Sequence, residues 1–139
     1  MSWERGTHGS TVAGNPVCCA AALATLDLIE AGMLSNVRKM GSILLDGLRG
    51  LQAKHDVIGN VRGVGLMIGV EFVKDRATKE PFEGLTGKIE MSAFQKGLLL
   101  LSCGRSTLRI APAFVVDEED IANALRIIDE SLTELSNTA

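Results

Sequence analysis

Tyrosine is absent from this chain of 139 residues, and tryptophan occurs once. No aromatic recognition surface is therefore advertised. Blocks of five or six like charges are missing too. Fourteen basic against seventeen acidic residues leave a net charge of −3, which makes nucleic acid or an anionic membrane a poor partner. The apolar run Gly97–Leu101 is far too short to span a bilayer, so no membrane association is expected. The opening Met1-Ser2-Trp3-Glu4-Arg5 lacks the charged-then-apolar pattern of a secretory leader. Only three cysteines are present, two of them vicinal (Cys18, Cys19), and they make no disulfide framework. Together these absences point to a reducing, cytoplasmic setting. The two histidines, His8 and His55, have no second ligand at metal spacing, and no pair of carboxylates stands out for acid–base work.

What is present is ordinary globular composition, 46% hydrophobic and 22% charged. The length suits one domain, or a small domain carrying an arm from another. The most informative stretch runs from His8 to Pro16. It places Gly9, Ser10, Thr11 and Gly14 directly before a helix start, with Asn15 as N-cap and Pro16 at the first helical position, where a missing N–H costs nothing. A hydroxyl, glycine amides and a helix N-terminus could together hold a phosphate. A plain capped helix preceded by a flexible tail accounts for the same residues.

Along the chain, an apolar helix is expected from Pro16 to about residue 31, stopped by Gly32. It is apolar on more sides than one domain can cover, so it should lie between two bodies or expose a large patch. A second helix is expected over 34–54, with Val37, Met40, Leu44, Leu48 and Leu51 on its inner stripe. Residues 63–72 read as one strand, Val64, Leu66, Ile68, Val70 and Phe72 alternating with small or polar residues. A short helix capped by Thr86 and ended by Gly97, a buried strand over Leu98–Leu101 and another over Thr107–Ala111 follow. Asp117 caps a last helix with Ile121, Leu125, Ile128 and Leu132 inward. The fold class is α+β, an α/β layer with helices on one face of a small, mainly antiparallel sheet.

Arg109 is the second candidate site residue. Alternation in Leu108-Arg109-Ile110 sends the two aliphatics inward and Arg109 to the opposite face. From a rigid strand it could bind a carboxylate through two parallel hydrogen bonds, or it could be a solvated, ion-paired surface residue. Gly63-Val64-Gly65 is not a dinucleotide fingerprint, since Ile68 stands where a third glycine belongs and no helix follows; these glycines suit close backbone approach. The six lysines (39, 54, 74, 79, 88 and 96) sit in helical or polar-loop contexts, none of them the desolvated pocket a Schiff-base lysine needs.

The ordered series Gly6-x-His8-Gly9-Ser10-Thr11-x-x-Gly14-Asn15-Pro16, Val61-Arg62-Gly63-x-Gly65-Leu66-Met67-Ile68-Gly69, Gly97-Leu98-Leu99-Leu100-Leu101 and Leu108-Arg109-Ile110-x-Pro112 resembles the C-terminal portion of the class III aminotransferases. These are pyridoxal-phosphate enzymes of the aspartate aminotransferase fold, and the 4-aminobutyrate and ornithine branch is the most similar. The resemblance implies a cofactor-phosphate loop and linking helix over 1–32 and the family's small C-terminal domain over 33–139. It further implies that Thr11, beside Ser10, contacts the phosphate of pyridoxal 5'-phosphate held in the partner subunit of a homo-oligomer, and that Arg109 binds the substrate carboxylate. Val12-Ala13 stands where Phe-Gly is usual, and Ala113-Phe114 where Pro-Leu is usual.

By the same resemblance, the Schiff-base lysine, the aspartate that pairs the pyridine nitrogen and the stacking aromatic belong to a cofactor domain upstream of residue 1. No catalytic residue is expected in this chain, which should be inert without that domain. The expected activity of the complete enzyme is transfer of an amino group from an ω-amino acid or similar amine to an oxo acid such as 2-oxoglutarate. Racemization or an aminomutase reaction on the same scaffold is the alternative, and a non-enzymatic amino-acid-binding module is the alternative from another class.

Overall fold

Asn15 and Pro16 start the first helix as their chemistry dictates. In the computed structural model, which describes residues 4–7 and 9–136, Asn15 Oδ1 accepts from the Val17 and Cys18 amides at 3.0 and 3.3 Å. Helix α1 runs Pro16–Leu28, and none of its residues is buried. A π-helical turn, Ile29–Met33, joins it to α2, Leu34–Lys54. At Gly32 (φ 162°, ψ −13°) the backbone leaves helical geometry and a kink separates two helices, as the expected stop at Gly32 requires.

Counted as one helix across that kink, Pro16–Lys54 is long and apolar enough by length and composition to cross a membrane. It outdoes the Gly97–Leu101 run on which the sequence-based expectation rested. The kink qualifies it. The 13 residues of α1 span roughly 20 Å at 1.5 Å each, short of the ~30 Å hydrocarbon layer.

The chain divides into two compact units, Met1–Met33 and Leu34–Ala139. The second is built on a four-stranded antiparallel sheet in the order β1-β2-β4-β3, with β1 Ile58–Val64, β2 Met67–Phe72, β3 Leu101–Cys103 and β4 Thr107–Ile110. The strand expected over 63–72 is in fact a hairpin: Val64 pairs Met67 across a two-residue turn of Gly65 and Leu66. Gly65 sits at φ +57°, the left-handed region that glycine enters at no steric cost. Continuous alternation hid the turn because Leu66 is itself buried.

One face of the sheet is packed. Phe72, Ile68, Val70 and Leu108 point into a core with Leu44 and Leu48 of α2 and Ile128 and Leu132 of α4 (Glu118–Ser136). Helix α3, Leu85–Gln95, packs beside α4. Its N-cap is Gly84 at φ +83°, without a side-chain bond, and Thr86 is buried in the first turn rather than capping it. Asp117 does cap α4: its Oδ1 accepts from the Asp120 amide at 2.9 Å and Asp120 Oδ2 accepts from the Asp117 amide at 3.2 Å.

Close approach explains three glycines. A Cβ on Gly41 would meet the backbone of Gly65, its Cα at 2.7 Å and its carbonyl oxygen closer still, and a Cβ on Gly47 would meet the Leu125 side chain. Gly63 likewise has Ile68 Cα at 2.7 Å from where its Cβ would stand. Gly50 faces open space, so neither packing nor conformation accounts for it. Leu98–Leu101 is not a buried strand. Only Leu101 begins β3, an edge strand, and Leu99 and Leu101 are 79% and 60% exposed.

Candidate functional site

The sheet's second face carries the candidate site residues of the Leu34–Ala139 unit. Cross-strand pairing puts Arg62, Gly69, Arg109 and Leu101 in one row. Alternation assigns Asn60, Val64, Met67, Glu71 and Thr107 to the same side. Arg109 is exposed and makes no hydrogen bond or ion pair among the described residues. Its neighbours on the surface differ: Arg62 Nη1 lies 2.6 Å from Glu71 Oε2, and Arg105 pairs with Glu83, also at 2.6 Å. Arg109 thus presents an unneutralised fork of donors on a rigid strand, suited to a carboxylate. An apolar cleft of about 300 Å³ opens beside it, walled by Met67, Leu99, Leu101, Ala111 and Pro112.

The segment after Arg109 is tied down by a residue that sequence reading missed. Asn36 Nδ2, in the first turn of α2, donates to the carbonyls of Phe114 and Val116 at 2.8 and 2.9 Å. Lys39 and Glu118 add an ion pair of 2.7 Å next to it. A half-buried Asn at a helix start has no sequence signal that separates this role from solvation.

Ser10 and Thr11 belong to the Met1–Met33 unit and lie in an exposed turn. Ser10 Oγ accepts from the Val12 amide at 3.3 Å, whereas the Thr11 hydroxyl makes no hydrogen bond among the described residues. His8 of the same motif lies outside the described residues. The amides at the helix start are taken up within the chain. Asn15 takes the Val17 and Cys18 amides, the Cys19 amide bonds the Asn15 carbonyl at 2.9 Å, and Pro16 has none to offer. The Thr11 hydroxyl is left without a partner among the described residues, exposed at the turn.

Other titratable groups are engaged in structure. His55 is buried, with Nε2 2.6 Å from Asp129 Oδ1. Lys54 donates to both Asp129 oxygens at 2.8 and 2.6 Å. Those bonds, from Lys54 first and His55 second, hold the Asp129 carboxyl below the usual 3.8 despite partial burial. Lys96 is paired with Glu134 at 2.6 Å and Ser92 Oγ donates to the same Glu134 oxygen at 3.1 Å, and those two contacts, Lys96 first, lower the Glu134 carboxyl. Lys39 and Lys74 are also ion-paired, and Lys79 and Lys88 are exposed. All three cysteines are free and exposed. No group of three metal-ligating side chains forms among the described residues.

The family model for class III aminotransferases matches residues 1–132. A 4-aminobutyrate aminotransferase of Mycobacterium bovis is 41% identical over 133 residues, 94% of this chain and 29% of its own length. An isoleucine 2-epimerase of Lentilactobacillus buchneri is 37% identical over 138 residues, 99% of this chain and 31% of its own. Among solved structures, an amine transaminase from an uncultivated Pseudomonas species in a PLP-bound form superposes with TM-score 0.86 at 32% identity. That match covers 92% of this chain and 30% of the other. The chain spans about a third or less of the length of the curated relatives it matches.

Proposed function

Since this chain belongs to the class III aminotransferases, we propose that it supplies the substrate-carboxylate contact and one phosphate contact of a pyridoxal-phosphate-dependent aminotransferase. The carrying observation is Arg109, the exposed arginine without a counterion on the open face of the sheet. In this reading Arg109 receives the substrate's carboxylate as a bidentate pair, fixing the distance from that end of the molecule to its reacting amine. The cleft walled by Met67, Leu99 and Leu101 takes the methylene chain between them. A single free guanidinium beside an apolar wall suits an ω-amino acid, as the name of the 4-aminobutyrate relative does, with an oxo acid such as 2-oxoglutarate as acceptor.

Thr11 donates its hydroxyl to the cofactor phosphate of a second subunit in a homo-oligomer. When bound, the cofactor supplies the electron sink that stabilises charge on the substrate carbon. This chain's own residues orient and exclude water, and by themselves they are inert. In the complete enzyme, Arg109→Gln raises KM for the carboxylate substrate roughly 10- to 100-fold, the weight of a charged hydrogen-bonded contact. An unchanged KM would sink the assignment. Thr11→Ala weakens cofactor retention, roughly fivefold, for one hydrogen bond.

The epimerase relative favours a second reading, in which the same contacts orient an amino acid for inversion at its α-carbon. Product analysis separates the two: an oxo acid reports transamination, and an inverted amino acid reports epimerization.

A further inference from the structure

The row Arg62, Gly69, Arg109 across β1, β2 and β4 sets two guanidinium groups on either side of a glycine. Two strand spacings separate their backbones by roughly 10 Å, and Gly69 puts no side chain between them. Glu71, two residues along β2 on the same face, pairs in register with Asn60 on one side and Thr107 on the other. It is therefore diagonal to both arginines. Diagonal neighbours on one face lie about 7–8 Å apart, within reach of long side chains. Glu71 has two cations to choose from and takes Arg62, Nη1 to Oε2 at 2.6 Å. Asn60 Oδ1 also accepts from Arg62 Nη1, at 3.4 Å, which favours that side. Arg109 is left without a counterion.

We infer that Arg62 is a positioning residue for Arg109: it holds the Glu71 carboxylate on the β1 side of the sheet and so keeps the Arg109 guanidinium open to an incoming carboxylate. This rests on the reading of Arg109 as the substrate-carboxylate contact. Without Arg62, one carboxylate and one guanidinium remain on the open face at diagonal distance. Glu71 then turns across the gap at Gly69 and pairs with Arg109. A substrate must displace an anion already in place, and its affinity falls although Arg109 itself is intact.

The test reads the availability of each guanidinium in the 139-residue chain, by its rate of modification with phenylglyoxal mapped to individual arginines by peptide mass spectrometry. In the parent chain Arg109 reacts faster than Arg62. Arg62→Gln slows Arg109 roughly two- to fivefold, the protection a surface ion pair gives. The double change Arg62→Gln with Glu71→Gln restores the parent rate, and Arg62→Lys keeps Arg109 fast because the ammonium still holds Glu71. Glu71→Gln alone speeds Arg62 and leaves Arg109 as it was.

A general loosening of the fold would speed every arginine and would not be reversed by the second substitution. The inference is overturned if Arg109 reacts at the parent rate in Arg62→Gln, or if the slowed rate is not restored by Glu71→Gln. An unchanged KM in Arg109→Gln of the complete enzyme removes the carboxylate reading instead. It leaves the modification pattern intact, so the two failures are distinguishable.

Discussion

The two faces of the four-stranded sheet have the same backbone and opposite fates. On one, Phe72, Ile68, Val70 and Leu108 are at most 1% exposed beneath α2 and α4. On the other, Val64, Met67 and Leu101 are 88%, 67% and 60% exposed beside Arg62, Glu71 and Arg109. Large apolar side chains left open beside an arginine without a counterion set this face apart from the packed one. Exposed apolar side chains around an arginine without a counterion among the described residues mark this face as the candidate binding surface. Helix α1 makes the same point in the first unit, where Val17 and Leu23 are 77% and 64% exposed and no residue is buried.

The contrast can be broken by substitution, and the largest effect belongs to the packed face. Phe72→Ala removes a fully buried ring and lowers stability by about 3–5 kcal/mol, measured by denaturant unfolding. The same truncation at Leu101 on the open face changes it by less than about 0.5 kcal/mol. A large loss at Leu101 would mean that the open face is covered within the chain after all.

Gly41→Ala comes next, at about 1–3 kcal/mol, because the new Cβ would stand 2.7 Å from Gly65 Cα and both partners are backbone. Gly50→Ala, with nothing within 4 Å, stabilises by roughly 0.5–1 kcal/mol through helix propensity. The pair of melting temperatures separates crowding from propensity.

Asp129→Asn is a smaller, pH-dependent case, worth roughly 1–2 kcal/mol at neutral pH from the charged hydrogen bonds it loses. The folded-state carboxyl is depressed below 3.8 by Lys54 and His55. Its contribution is therefore full above that unfolded value and is lost as pH falls through the lower, folded one. Parent and variant should converge in strong acid; a difference that persists there would mean the carboxylate charge is not its source.

The smallest effect on stability is expected in α1. Changing Leu23 and Leu26 to Gln leaves the unfolding of the Leu34–Ala139 unit unaltered within about 0.5 kcal/mol. The expected outcome is a sedimentation coefficient that rises less with concentration than the parent's, since exposed apolar area drives association.

Much of this was legible in the residues. The Asn15-Pro16 start, the Asp117 cap and the stripes of α2 and α4 follow from side chains acting within a turn or two of themselves. The helix-on-sheet layer follows from their periodicity. The hairpin at Gly65-Leu66 was not legible, because a two-residue turn with a buried leucine keeps period-two alternation through the reversal. The exposure of Leu99 and Leu101 was missed for a related reason: hydrophobicity reports that a segment seeks cover, not that this chain provides it. At the Asn15 helix start the residues left cap and anion site both open, and the structure shows the cap.

Arg109 was singled out from strand alternation alone, and only the cross-strand register revealed what stands around it. Local chemistry, caps, periods and turn residues, was determined by the sequence by itself, because those interactions close within a few residues. Which arginine keeps its counterion and which is left open was decided by the tertiary structure, because Glu71 meets Arg62 and faces Arg109 only once β1, β2 and β4 are aligned side by side.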